Sequence, residues 1–326
     1  MRCGHDTCVT LQPTLFLSRE ASLLGSARQL RRRRVDGSLT RLTTGVYVET
    51  EPFAALTAID QYRTRLRAIA LTADPASQFS HDSAAAEWDL PSIGPWPRYA
   101  HQVMQSSSGG TSRVGIRRHA IGLDPDAVEL NGIVVTSLAR TVVDMASSTP
   151  FVRAVVMADR ALQLAPEGLD FDRALETRES ARGTVRATSV IEFASPLAAS
   201  PGESFARVQF LALGYPPPEL QVEFFDENGF AGEVDFYFRE LDLIVEFDGA
   251  SKYGARREFQ RDLTLEQILL REKAREDRLR RLVRSFARIN WTLTADRRAL
   301  ANHLRPHGLV ERGRSRRAVR EPVSDT

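Results

Sequence analysis

A chain of 326 residues with 42% hydrophobic and 26% charged content is long enough for two or three domains and for a sizeable buried core. No stretch approaches the roughly 18 consecutive apolar residues of a membrane span, and "MRCGHDTCVTLQPTLF" lacks the apolar run of a signal peptide, which predicts a cytoplasmic protein with no membrane partner. The formal net charge of +2 does not by itself announce nucleic acid, so local charge must carry any such argument.

Cys3, His5 and Cys8 stand in a short polar segment and are too few for a closed metal knuckle, which predicts a reduced, frayed terminus. From Leu15 to Val48 the chain is more organised. "SREASLLG" and "SARQLRRRRVDG" each start on a capping serine and stop on a glycine, predicting two short helices. Two β-forming runs around Thr43-Thr44-Gly45 then predict a hairpin. Helix, turn, helix and hairpin in that order is a winged helix-turn-helix. Arg28, Arg31, Arg32 and Arg34 on the second helix, with Arg41 on the hairpin, suit phosphate contacts on DNA. A solvated basic helix in an arginine-rich chain is the plainer alternative. The bias is strong: of 44 basic residues only Lys252 and Lys273 are lysines.

Between residues 51 and 199 the pattern predicts an α+β region with less chemistry in it. Ser80 caps a helix ahead of Pro91, Asn131-Gly132 joins two β-forming runs as a hairpin, and Ser137 starts "LARTVVDMA". His81, His101 and His119 are scattered without metal-ligand spacing and are expected to be packed or surface histidines. No glycine-rich phosphate loop, nucleophile elbow or internal repeat is present.

Past Ser200 the order is a helix over 202–213, β-forming runs at 219–225, 233–238 and 241–247, a helix from Leu265 to Leu282, a strand near 286–291 and a final helix. Alternation puts Glu233, Asp235 and Tyr237 on one face of their strand, opposite Val234, Phe236 and Phe238. It also groups Asp242, Ile244, Glu246 and Asp248. Paired through Arg239-Glu240, the two strands align their acids. Such like-charge neighbours are unfavourable unless solvent or a cation screens them, and a divalent ion does so with one or two carboxylates. A solvated outer sheet face satisfies the same alternation. The long helix interrupts its apolar stripe with Glu272 and Glu276 beside Lys273 and Arg275, which predicts a polar cleft between helix and sheet.

Asp235, followed after ten residues by Glu246-Phe247-Asp248, resembles the PD-(D/E)xK nuclease signature. "VEFDG", Lys252-Tyr253 and the "EKAREDRLRR" helix look like the Vsr-related endonuclease-fold family over residues 200–305. That resemblance implies a restriction-endonuclease-like mixed sheet flanked by helices, Asp235 and Glu246 as metal ligands, and Glu203 as the matching helical acid. Glu203 also fits a capping box behind Ser200-Pro201. Asp248 stands where the family has lysine, so Lys252 or Lys273 must supply the ammonium. "SARQLRRRRVDGSLTRLTTGVYV" resembles the winged-helix domain of AbiEi-type antitoxins, and "VVTSLARTVVDMA" looks like the centre of actinobacterial proteins that join this domain to the endonuclease fold.

The expectation is therefore an α/β multidomain protein. It has a winged helix-turn-helix at 11–50, an α+β middle region at 51–199, an endonuclease-like domain at 200–306 and a disordered basic tail at 307–326. The expected function is DNA phosphodiester hydrolysis with Mg2+ or Mn2+ on Asp235, Glu246 and Glu203, assisted by Lys252, Asp248 or Lys273. The alternative is a non-catalytic antitoxin-type transcriptional regulator with a cognate toxin as partner. RNA cleavage is less favoured, because no stacking aromatic platform is evident.

Overall fold

The computed structural model describes residues 13–19, 27–74, 76–105, 115–249 and 264–311. The chain is mixed α/β and divides into two compact units, Met1–Phe193 and Ala194–Thr326. Among the described residues no helix is long and apolar enough to cross a membrane.

The first unit begins with β1 (Phe16–Leu17), α1 (Ala27–Val35), β2 (Leu39–Thr43) and β3 (Val46–Glu49), whose strands form an antiparallel sheet in the order β1-β3-β2. Leu30, Leu39 and Tyr47 make its small core, with Phe16 packed against them. The helix stops ahead of Gly37 and the hairpin turns at Gly45, both at positive φ as a left-handed turn demands. The helix expected over "SREASLLG" falls largely outside the described residues.

Next come α2 (Thr50–Ala54), α3 (Ala58–Ala70), β4 (Gln78–Phe79), α4 (His81–Glu87), β5 (Ala100–Met104), β6 (Ile116–Ala120), β7 (Val128–Leu130) and β8 (Ile133–Val135). The five strands order as β6-β5-β4-β8-β7, with β5–β6 and β4–β8 parallel and the other pairs antiparallel. Asn131 and Gly132 both carry positive φ between β7 and β8, the backbone a two-residue hairpin needs. Four helices complete the unit: α5 (Leu138–Ser148), α6 (Phe151–Leu164), α7 (Phe171–Glu176) and α8 (Thr184–Phe193). Ser137 caps α5 through the Arg140 N–H. Within α5, Arg140 and Asp144 are both fully buried, and their ion pair at 3.2 Å is joined by Arg178 at 3.3 Å.

The second unit runs α9 (Pro201–Ala212), β9 (Glu219–Asp226), β10 (Gly229–Phe238), β11 (Leu243–Asp248), α10 (Leu265–Leu282), β12 (Ser285–Asn290), α11 (Trp291–Ala295) and α12 (Arg297–Leu304). Its sheet orders as β12-β11-β10-β9, antiparallel except for the parallel β11–β12 pair. One face packs Phe236, Phe238, Leu243, Val245 and Phe247 against Ala206, Phe210 and Leu300 of α9 and α12. The other packs Val234 and Ile244 against Leu279 of α10 and Phe286.

Strict alternation fails at one level of this sheet. Val234 joins the α10 face together with Tyr237 and Val222, whereas Phe236 and Leu220 join the opposite core. Both strands thus change faces between adjacent same-parity positions, 220 to 222 and 234 to 236. On β9 the change coincides with the left-handed backbone of Gln221, with φ 50°. The expected grouping of Glu233 with Asp235 and Tyr237 is corrected accordingly: Glu233 is exposed, while Asp235 is buried. The domain also continues past 306, because Leu309 is buried in the core of this unit; residues 312–326 lie outside the described residues.

The contact between α9 and β11 has no slack. A Cβ added to Gly202 meets the Phe247 ring at 2.2 Å. Phe247 is buried and stands edge-on to Trp291 with centroids 5.4 Å apart, so the ring has little room to give. Gly202→Ala is expected to cost about 1–3 kcal/mol of overpacking, read as a lower urea midpoint at unchanged m-value.

Candidate functional site

The basic surface of the first unit arises from helical periodicity. Leu30 turns inward, and Arg28, Arg31, Arg32 and Arg34 are exposed on the remaining faces of α1. Arg33 is tied down by Glu49 at 3.0 Å and by Ser38. Arg34 lies over the Tyr47 ring at 5.8 Å. Arg41 is exposed on β2, its guanidinium donating to the Thr43 carbonyl and Thr44 Oγ1. Helix and hairpin therefore offer a set of fixed positive charges to solvent.

In the second unit, the β10–β11 register pairs Phe236 with Val245, and continuing it by one residue sets Asp235 opposite Glu246. Both acids are buried. Asp235 Oδ2 accepts the Phe247 backbone N–H at 2.7 Å, so its carboxylate stands in for a ladder acceptor. Glu246 lies two residues beyond Ile244 on the α10 face, where Arg275 Nη2 donates to its Oε1 at 2.7 Å. Arg288, its partner in the parallel β11–β12 ladder, approaches Oε2 at 3.5 Å. Burial pushes the Glu246 carboxyl up, against the pull of Arg275, while the neighbouring Asp235 adds to the rise.

The acids that interrupt the apolar stripe of the long helix join this ion-pair network. Glu272 and Glu276 are half-buried; Arg275 binds Glu272 at 2.8 Å as well as Glu246, and Arg288 binds Glu276 at 2.9 Å. Arg280 also pairs with Glu276, at 2.6 Å. Arg278 holds α10 to β9 through Asp226, which it depresses to about 2.

Other expected site residues are placed differently. Glu203 is buried, but its carboxylate is taken by the Ala199 N–H, Ser200 Oγ–H and Gln221 Nε2–H at 2.8, 2.8 and 2.9 Å. Ser200 Oγ in turn accepts the Glu203 N–H. This capping arrangement accounts for Glu203, and among the described residues no group of three acids including Asp235 and Glu246 comes close enough to share one ion. Lys273 is exposed, and Asp248 is exposed at the end of β11 beside Asn290. Lys252 lies outside the described residues. Among the described residues the cations at Glu246 are thus arginines, because Arg275 and not Lys273 sits on the inward face of α10.

Sequence reasoning missed two features. Arg288 was legible only as a lone arginine within the apolar run "SFARIN". The three histidines of the first unit are not scattered: their ring nitrogens come within 4.8 Å of one another.

No family model matches the chain. It is similar to two proteins of Mycobacterium tuberculosis: uncharacterized protein Rv2248 of strain ATCC 25618 / H37Rv and uncharacterized protein MT2308 of strain CDC 1551 / Oshkosh. Each is 27% identical over 235 residues, covering 70% of this chain and 80% of the relative.

Proposed function

We propose that the protein binds cytoplasmic DNA through a winged helix-turn-helix formed by α1 and the β2–β3 hairpin, and that its second unit is a restriction-endonuclease-like domain that hydrolyses phosphodiester bonds. The observation that carries this reading is the buried Asp235–Glu246 pair, opposed on adjacent strands and flanked by a network of arginines and glutamates. The donor set fits a hard divalent ion. Asp235 and Glu246 bring carboxylate oxygens together on adjacent strands, with Glu272 and Glu276 in the ion-pair network around Glu246, and oxygen donors are what Mg2+ selects. Asp235 and Glu246 would hold Mg2+ or Mn2+. Such an ion, when bound, supplies Lewis-acid polarisation and a water of lowered pKa. Arg275 and Arg288 present planar forks suited to a phosphate, a task Lys273 does not share from its exposed position. Plasmid nicking in Mg2+ by wild type and by Glu246→Gln tests the reading.

One observation favours a second reading. Both Glu246 oxygens already face guanidiniums, as expected of an antitoxin-type regulator that has kept the fold without the chemistry and binds a cognate toxin. No nicking by wild type, together with no metal-induced stabilisation, would decide for it.

DNA binding is tested separately. Reversing Arg31 and Arg32 to glutamate should weaken binding in a gel shift and flatten its salt dependence, by about 0.9 in log–log slope for each phosphate the protein no longer neutralises. An unchanged slope with the fold intact removes the winged-helix assignment.

A further inference from the structure

His81 starts α4, His101 lies on β5 and His119 on the neighbouring β6, so one element junction gathers three of the chain's six histidines. His101 Nδ1 and His119 Nε2 face each other at 2.8 Å. The rings of His81 and His119 stack at 3.8 Å between centroids, with His101 5.0 Å from His119. His81 and His101 are buried and His119 is half-buried.

The outward nitrogens are already occupied or oriented. Ser80 Oγ bonds His81 Nδ1 at 2.9 Å, which leaves Nε2 as that ring's remaining nitrogen. This is why Ser80, although at the N-cap position of α4, does not cap the helix through its side chain. His101 Nε2 is buried without a hydrogen bond and stands 3.4 Å from Asp82 Oδ2. Asp82 is in turn held by Arg153. A carboxylate behind the far nitrogen of a histidine is the arrangement that fixes the tautomer of a metal-ligating imidazole. The backbone supports the cluster as well: Ser80 N–H donates to the His101 carbonyl, and the His101 N–H to Ser83 Oγ at 2.8 Å. His81 has φ 49°, a left-handed conformation of the kind that persists at ligand clamps because the surroundings over-determine it.

We propose that His81, His101 and His119 form a site for one divalent transition-metal ion of the zinc class, which clamps the edge strand β6 to α4. Three imidazoles and no thiolate select Zn2+, Co2+ or Ni2+ over Mg2+. Zn–N bonds of about 2.0–2.1 Å in tetrahedral geometry set ligand nitrogens roughly 3.3 Å apart. The His101–His119 separation therefore opens by about half an ångström on binding, and the His81 ring turns out of its stack. The half-buried side at His119 leaves the fourth position to water. The site belongs to the first unit and is independent of the carboxylate pair.

The test uses the full chain carrying Cys3→Ser and Cys8→Ser, which removes the thiols as rival ligands, in excess Mg2+ to saturate carboxylates. Titration with Co2+ should reach one equivalent with a visible absorption band, and Zn2+ should displace it. His119→Gln should lose the band, whereas His303→Gln/His307→Gln should keep it. Zn2+ should also raise the melting temperature of the parent, and EDTA should reverse the rise, a readout that stands even where His119→Gln fails to fold. An equal band in parent and His119→Gln, or a parent with neither band nor Zn2+-dependent melting shift, overturns the proposal.

Discussion

Wild-type protein should relax supercoiled plasmid in Mg2+, and Glu246→Gln or Asp235→Asn should abolish the nicking while leaving the fold in place. Loss of an outer-shell partner costs about 10–100-fold in metal affinity or activity, so loss of a direct ligand should exceed that. The amide substitutions are chosen for the geometry around each acid. Asp235→Asn keeps an oxygen for the Phe247 N–H, which Asp235→Ala would leave as an orphaned buried donor at about 1–3 kcal/mol. Glu246→Gln keeps an acceptor for Arg275, which also retains Glu272 at 2.8 Å and the Glu233 carbonyl at 3.2 Å. Because burial already penalises the charged form of Glu246 and Arg275 keeps Glu272 as a partner, neutralising it should leave the fold in place. Thermal melts alongside the nicking assay separate a chemical role from a packing role. Equal cleavage by all three proteins would remove the carboxylate site, and a large drop in melting temperature would make both residues structural.

Asp144→Leu should have the largest effect on stability of any single change in the first unit. Arg140 is the largest fully buried side chain among the described residues, and Asp144 is its only carboxylate partner there. Its guanidinium also donates to the Ile121 and Gly122 carbonyls at 3.0 and 3.2 Å, so it cannot swing out without breaking the contact between α5 and the end of β6. Burial pushes Asp144 up to about 6 against the pull of Arg140 and Arg178. Removing one partner of such a pair strands a buried charge at about 3–5 kcal/mol, against a typical total stability of about 5–15. Arg140→Met added to Asp144→Leu should recover part of the loss, since an apolar pair in place of a buried ion pair is often neutral or stabilising, while Arg178 still lacks its carboxylate and the Ile121 and Gly122 carbonyls lose their donor. Arg140 Nη1 and Asp144 Oδ2 have no hydrogen bond even in the wild type, which makes that recovery more favourable. Urea unfolding of both variants gives the comparison, and a double variant no better than Asp144→Leu alone would refute the argument.

The order of elements in the second unit was legible because each boundary carries local chemistry. Ser200-Pro201 starts α9, and Thr264 and Gln267 build a capping box for α10, whereas the short helix α11, capped by Asn290, was missed because the strand was expected to run on to about 291. The opposition of Asp235 and Glu246 was readable from period-2 patterning and a short connection. The site's cations were not. Arg275 and Lys273 differ by two positions on one helix, and only the packing of Leu279 against Ile244 settles which of them faces Glu246. The histidine cluster was illegible for a similar reason: its members come from a helix start and two strands, and their approach depends on the parallel pairing of β5 with β6. Ser80 looked like an ordinary helix cap because the rival hydrogen-bond partner of its hydroxyl, the adjacent imidazole, is brought to it by the left-handed conformation of His81.

The reversal of faces at Gln221 bears on how this domain can change over generations. Positions 220 and 222 answer to different hydrophobic layers although they share parity, as do 234 and 236. A one-residue deletion within either strand away from that reversal would transfer side chains such as Phe224 or Phe238 into the wrong layer, since a slip of one turns every side chain over. Insertions and deletions should therefore be purged from both strands and accumulate at the Asp226–Gly229 turn, whose exposed Glu227 and Asn228 answer to neither layer. At 221 itself, drift should favour glycine and asparagine, which accept the left-handed backbone, over the β-branched residues common elsewhere in strands.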